Sequence, residues 1–241
     1  MHKKRTKKPV RKVHKNLKSA KPVKKIHKNV RSFKVLVVIL IVLSSLLILL
    51  DNFKFLANNN NFYQHEFSKY DVYSKYPDAD KINNNLLAYL NSKGALDESI
   101  FLEIELAHLR DVRYLMHYFT LSLEVMAGLF LLLAILLLIL SGRQFLGKFL
   151  KVLFFGAIFS VVIVAVVALL PFDLSFVWFH KLLFHNNYWM LPPGALTTIY
   201  SEDFFYDFSV RWFLTAIATS LAAFAVAVIG LAIKKEKFFK L

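Results

Sequence analysis

Four stretches of the chain, roughly 35–53, 118–140, 149–170 and 209–233, are apolar over about the 20 residues that a helix needs to cross about 30 Å of hydrocarbon. Inside a bilayer the backbone N–H and C=O groups find no water. A segment of this kind therefore has one stable form there, a helix whose backbone bonds are internal. The rest of the chain does not offset this, since 57% of the residues are hydrophobic and the mean hydropathy is +0.49, too apolar for a water-soluble domain of 241 residues. The expected fold class is an all-α membrane protein, with four transmembrane helices and a mostly helical extracytoplasmic cap.

Charge gives the expected orientation. Residues 1–34 hold 15 of the 31 Lys and Arg and no acid, so the formal excess of +15 resides in this tail. Basic residues flanking spans are retained on the cytoplasmic side, which places the N-terminus there. Arg143, Lys148 and Lys151 between the second and third spans, and Lys234, Lys235, Lys237 and Lys240 against Glu236 after the fourth, carry the same mark. Residues 51–117 have 10 acids against 7 basic residues, and 171–208 have Asp173, Glu202, Asp203 and Asp207 against Lys181. The outer loops are thus 54–117 and 171–208, with both termini cytoplasmic in a plasma membrane. The charged region is long for a signal peptide and no A-x-A-like site follows the first span, so that span is expected to be a retained anchor. There is no cysteine, which excludes disulfides and cysteine lipidation of this chain.

The chain divides into a basic tail, 1–34, and a membrane domain, 35–241. Within the tail, Lys8-Pro-Val-Arg-Lys-Val-His-Lys-Asn16 recurs 13 residues later as Lys21-Pro-Val-Lys-Lys-Ile-His-Lys-Asn29. So basic a segment cannot bury a core and is expected to be disordered or only locally ordered. It is a topology signal, a ligand for anionic lipid headgroups at about 1 kcal/mol per Lys or Arg, or a contact for RNA. In the first outer loop, Asn58 to Asn61 and the rings Phe62, Tyr63, Phe67, Tyr70, Tyr73 and Tyr76 suit the membrane interface. A helix is expected over about 80–92, and a longer one from Asp97 into the second span. The second loop is dense in aromatic residues, among them Phe176, Trp178, Phe179 and Trp189, which fits a segment lying against the bilayer.

Outside the tail the histidines are His65, His108, His117, His180 and His185, and the expected topology puts all five on the outer side. In Glu105-Leu-Ala-His108-Leu-Arg-Asp111 the spacing stacks two carboxyl groups and an imidazole along one helix face. A carboxylate beside histidine can orient the ring and tune it as a general base. Exposed charges on a solvated helix face would give the same spacing. The second cluster, Phe179-His180-Lys181-Leu182-Leu183-Phe184-His185-Asn186-Asn187-Tyr188-Trp189, is equally an aromatic belt with polar edges. Glu124, two turns into the second span, and Arg211, near the start of the fourth, are costly in hydrocarbon and form a candidate intramembrane ion pair. No G-x-S-x-G, H-E-x-x-H or phosphate-cradling glycine loop occurs.

The motifs E-x-x-H-x-x-D-V before the second span and F-H-x(4)-H-N-N-Y-W after the third, with Glu202-Asp203-Phe204-Phe205 further on, resemble the lipoprotein intramolecular transacylase (Lit) family. The resemblance covers residues from about 35 to the C-terminus. It implies an acyltransferase that moves an ester-linked acyl chain of a lipoprotein onto the amine of its N-terminal cysteine, with membrane lipid and the lipoprotein N-terminus as substrate and no cofactor or metal. It further implies that His108 and His180 carry the acid–base work, which requires them to lie within about 10 Å of each other. Asp111 would orient His108, Asn186 would donate to the oxyanion, and Glu105 and Trp189 would support the site. Pro192, Pro193 and Gly194 stand where the family commonly has an acidic residue, and Ser201 where it has a proline. A metal-dependent lipid hydrolase using Glu105, His108 and His180, and a scaffold without enzymatic activity, are the alternatives.

Overall fold

A computed structural model describes residues 22–235, with side chains from Ser32 onward. The described residues form α1 (Pro22–Ala57), α2 (Asn60–Lys69), α3 (Val72–Lys75), α4 (Ala79–Leu90), α5 (Glu103–Ser141), α6 (Phe145–Ala168), α7 (Phe172–Leu183), α8 (Ala195–Ile199) and α9 (Glu202–Ile233). No strand occurs among them. The four apolar stretches fall in α1, α5, α6 and α9.

Three stretches are long and apolar enough to cross a membrane, Ser32–Ala57, Glu103–Ala168 and Glu202–Ile233. The middle one, 66 residues, is two rods, because a 3-10 turn at Gly142–Gln144 separates α5 from α6. Gly142 ends α5 at φ 52, a region that a residue without Cβ enters freely. Packing shows that the chain reverses there. Leu36, Val37 and Leu40 of α1 meet Ala134 and Leu137 late in α5 and Val152 early in α6. At the other end Leu49 meets Val164, late in α6, and Ala216, early in α9. Hence α1 and α6 run one way and α5 and α9 the other, with α1 and α6 central.

Helices in hydrocarbon gain little from burying apolar surface, so close backbone approach through small residues matters more. Ser160 of α6 and Ser220 of α9, both buried, are 2.6 Å apart through their hydroxyls. On the other side of α6, a Cβ added to Gly156 would collide with the Ser44 hydroxyl of α1 and lie 3.4 Å from the Ile41 carbonyl oxygen.

The ends of α1, α5 and α9 meet a cap built from α2, α3, α4 and α8. Its core joins Leu56, Phe62, Tyr63, Phe67, Leu86, Leu109, Ile199, Tyr200, Phe204 and Phe208. The polar edges of its rings are satisfied inside. Tyr63 donates to the Ala57 carbonyl at 3.0 Å and Tyr200 to the Asn83 side-chain oxygen at 3.0 Å. Helix starts follow ordinary capping chemistry. The Asn59 side chain accepts from the Asn61 and Phe62 amides, and the Ser201 hydroxyl accepts from Phe204.

Four expectations are corrected. The Asn-rich aromatic passage forms α2 and its neighbour, and Phe62, Tyr63 and Phe67 are buried in the cap core; an amphipathic ring suits a protein interior with a hydroxyl acceptor as well as a headgroup layer. The helix expected from Asp97 starts at Glu103, since Asp97 instead accepts from the Ser99 amide and hydroxyl and donates its amide to Asn85. In the tail, where at most local order is expected, α1 begins at Pro22 and runs unbroken into the first apolar stretch; residues 1–21, with the first repeat copy, lie outside the described residues. Finally, Glu124 and Arg211 form no ion pair and both are exposed, because Phe53 of α1 packs between the α5 and α9 surfaces, on Phe119 and Trp212.

Substituting Gly156 by leucine should force α1 from α6 and cost about 1–3 kcal/mol as overpacking does. Gly128→Leu, where nothing lies within 4 Å of the added Cβ, should be neutral. Thermal unfolding midpoints in detergent micelles distinguish the two.

Candidate active site

The cap end of the bundle brings together two histidines 72 positions apart in sequence. His108 lies one and a half turns into α5, ahead of the apolar 118–140 stretch, and His180 lies in the last turn of α7. Their ring centroids are 6.2 Å apart with planes inclined by 37°. One reacting group can thus come within hydrogen-bond reach of both. The two side chains are 8% and 9% exposed. His65, His117 and His185 are exposed and stand apart from this pair.

The placement of His180 follows from local sequence. Pro171 precedes the first turn of α7, Asp173 lies in that turn and His180 and Lys181 in the last, as the helix dipole favours. Four-residue spacing sets Phe176, His180 and Phe184 on one side. His180 packs on Phe176 at 4.3 Å and on Trp189 at 5.0 Å, the latter nearly parallel at 28°. Phe184 touches both imidazoles, at 5.1 Å from His108 and 5.8 Å from His180. The opposite face of α7 carries Leu174, Trp178 and Leu182, the latter two 66% and 78% exposed. Trp189 is the ring expected in the site; Phe176 and Phe184, expected only as part of an aromatic belt, join it through their four-residue spacing from His180.

His180 Nδ1 is 2.7 Å from the Phe176 carbonyl oxygen. A carbonyl only accepts, so Nδ1 carries the proton and Nε2 is left with a lone pair. Burial lowers the pKa of His180, partly opposed by that bond. His108 is pushed down to about 4, chiefly by burial and further by His180, with Asp111 opposing. Both rings are neutral at neutral pH. His108 Nδ1 is buried with no hydrogen-bond partner.

The carboxyl groups flanking His108 do something other than the spacing suggested. Asp111 makes no hydrogen bond to His108; it accepts from the Asn186 amide at 2.8 Å, and Asn186 in turn accepts from the Tyr188 backbone at 3.0 Å. One N–H of Asn186 is thus held in the contact between α5 and the loop after α7. Glu105, 0% exposed, accepts from the Leu102 amide with one oxygen and from the Leu196 amide with the other, both at 2.8 Å. A Cβ on Gly194 would run into the Glu105 carboxyl group, which explains a glycine at this position. Among the described residues no three His, Cys, Asp or Glu side chains are grouped to hold a metal ion, and Glu105 spends both oxygens on backbone donors rather than joining the histidines.

A family model described as lipoprotein intramolecular transacylase Lit matches residues 36–205. No curated protein matches the sequence. Three solved structures of the membrane integral lipoprotein intramolecular transacylase Lit from Bacillus cereus share the fold at 18% identity. One has a TM-score of 0.69, with 85% of this chain and 98% of that chain covered. A histidine-to-arginine variant gives 0.72, with 88% and 97%, and a histidine-to-alanine variant 0.71, with 88% and 99%.

Linkage gives a test of the buried His108. Its folded pKa lies below the ordinary 6.5, so the folded state binds fewer protons, and stability present above about pH 6.5 is lost as pH falls toward 4. That loss is on the order of 3 kcal/mol. His108→Phe should flatten the dependence of the unfolding midpoint on pH between about 4 and 6.5.

Proposed function

Because the chain belongs to the lipoprotein intramolecular transacylase family, we propose that it moves an ester-linked acyl chain of a diacylglyceryl lipoprotein onto the α-amine of the N-terminal cysteine, using His108 and His180 at the outer leaflet. The observation that carries this reading is the convergence of the two neutral imidazoles, 6.2 Å apart among aromatic rings at the cap end of the bundle. The basic residues Lys34, Arg143, Lys148 and Lys234 flank the opposite ends of the helices, which supports a cap on the outer side and both termini in the cytoplasm. The exposed apolar face of α7 supports a site opening to lipid rather than to bulk water.

The chemistry needs no covalent intermediate. The neutral amine attacks the ester carbonyl, an N–C bond forms and the C–O bond to glycerol breaks. The amine gives up a proton to Nε2 of His180, left free by the bond from Nδ1 to Phe176. The imidazolium returns it to the departing glycerol oxygen, so that ester and amine become amide and alcohol with no co-reactant. His108, neutral because it is buried, hydrogen-bonds the carbonyl oxygen as charge develops there. Trp189, stacked on His180, fixes the ring in place.

Mass spectrometry of lipoprotein N-terminal peptides from cells with and without the protein tests the reading. The N-acylated lyso form should appear only with the protein. His108→Ala and His180→Ala should insert normally yet lose about 10²–10⁴-fold in conversion, as expected for acid–base groups. An acyl pattern that does not depend on the protein removes the proposal.

A further inference from the structure

The buried carboxyl group of Glu105 and the Asp111–Asn186 pair take no part in the proton transfers above, yet they sit on either side of His108. On α5 the three residues are three apart, so each carboxyl group lies about 4.5 Å along the axis from His108 and about 60° to one side of it. From these positions they hold two points of the same connection between α7 and α9. Asp111 binds Asn186, six residues after His180, and Glu105 binds the Leu196 amide at the start of α8. Between the two points lies Trp189, stacked on His180. The two elements that bear the histidines are distant in sequence, and His108 and His180 make no hydrogen bond to each other.

We propose that Glu105 and Asp111 are positioning residues for the histidine pair, two tethers that hold the α7–α8 connection on α5 and so set the separation of His108 and His180. This deepens the transacylase reading and rests on it for its kinetic consequence. The chemistry of the tethers is specific. Asp111 can only accept from the Asn186 amide group, and Asn186 at the same time accepts from the Tyr188 backbone, so the pair works in one orientation as drawn. Exchanging the two residue types keeps every one of these bonds. With Asp111→Asn and Asn186→Asp together, the amide on α5 donates across the gap, while the carboxylate in the connection receives both that donor and the Tyr188 N–H. Glu105 has no such exchange, because both of its partners are backbone N–H groups, and an amide in its place would point an NH₂ at one of them.

The test uses the full-length protein in proteoliposomes with a diacylglyceryl lipopeptide, read by mass spectrometry. Asp111→Asn alone and Asn186→Asp alone should each lower kcat by up to about 100-fold, the cost of a misplacement near 1 Å, with KM little changed. The exchange of both should restore most of the loss, and Glu105→Gln should lower kcat without a rescue partner. A second readout is independent of turnover: the NOE between the ring protons of His108 and His180, whose ring centroids lie 6.2 Å apart, should weaken in each single variant and return in the exchange. Singles with unchanged kcat, or an exchange no better than either single, overturn the proposal. If the wild-type protein converts no lipopeptide, the transacylase reading fails instead, and the tethers stand or fall on the NOE, where an unchanged intensity in the single variants rejects them.

Discussion

In hydrocarbon a backbone N–H or C=O without a partner costs several kcal/mol, and everything else in this protein is arranged around that cost. The spans are helices because only helices close their own bonds. The sharp reversal at Gly142–Gln144 comes at Arg143, a charge that is costly within hydrocarbon. With burial of apolar surface contributing little between helices, α1, α6 and α9 are drawn together through glycine and serine: Gly156 beneath Ser44, and Ser160 against Ser220. Apart from the turn at Gly142–Gln144, the irregular backbone between the described helices lies at the cap end, where side chains and short helices can satisfy it.

The same cost governs the cap. Leu102 and Leu196 have backbone N–H groups that no helix satisfies, since they sit at or before the start of helices. One buried carboxyl group takes both, and in doing so fastens the connection before α9 to the first turn of α5. Asp111 and Asn186 repeat the arrangement two turns along. Around these bonds the aromatic side chains of α2 and α9, with Tyr200 between α8 and α9, pack into one core. Two imidazoles held this way are dry enough to remain neutral and near enough to act on one substrate group.

Parts of this were readable in advance, and the reason differs from one part to the next. Long apolar runs have one solution in a bilayer, so helices over the four stretches follow from length. The His108 and His180 motifs could be picked out through their resemblance to a family. The rings of Phe62, Tyr63 and Phe67 were misplaced because an amphipathic aromatic residue satisfies an interface and a core with an internal acceptor equally well. The cost of charge in hydrocarbon suggests pairing Glu124 with Arg211, but sequence does not show that α1 lies between their helices. Asp111 was given to His108 because spacing names neighbours on one helix and is blind to a partner arriving from another.

The sequence by itself determined that this chain is an integral membrane protein of helices, through apolar length, and which histidines to watch, through two motifs. Only the tertiary structure decided what the polar residues between them do. Asp111 pairs with Asn186, and Glu105 with Leu196, because a buried donor must find an acceptor in space, and the acceptors that folding brought within reach lay 75 and 91 positions away.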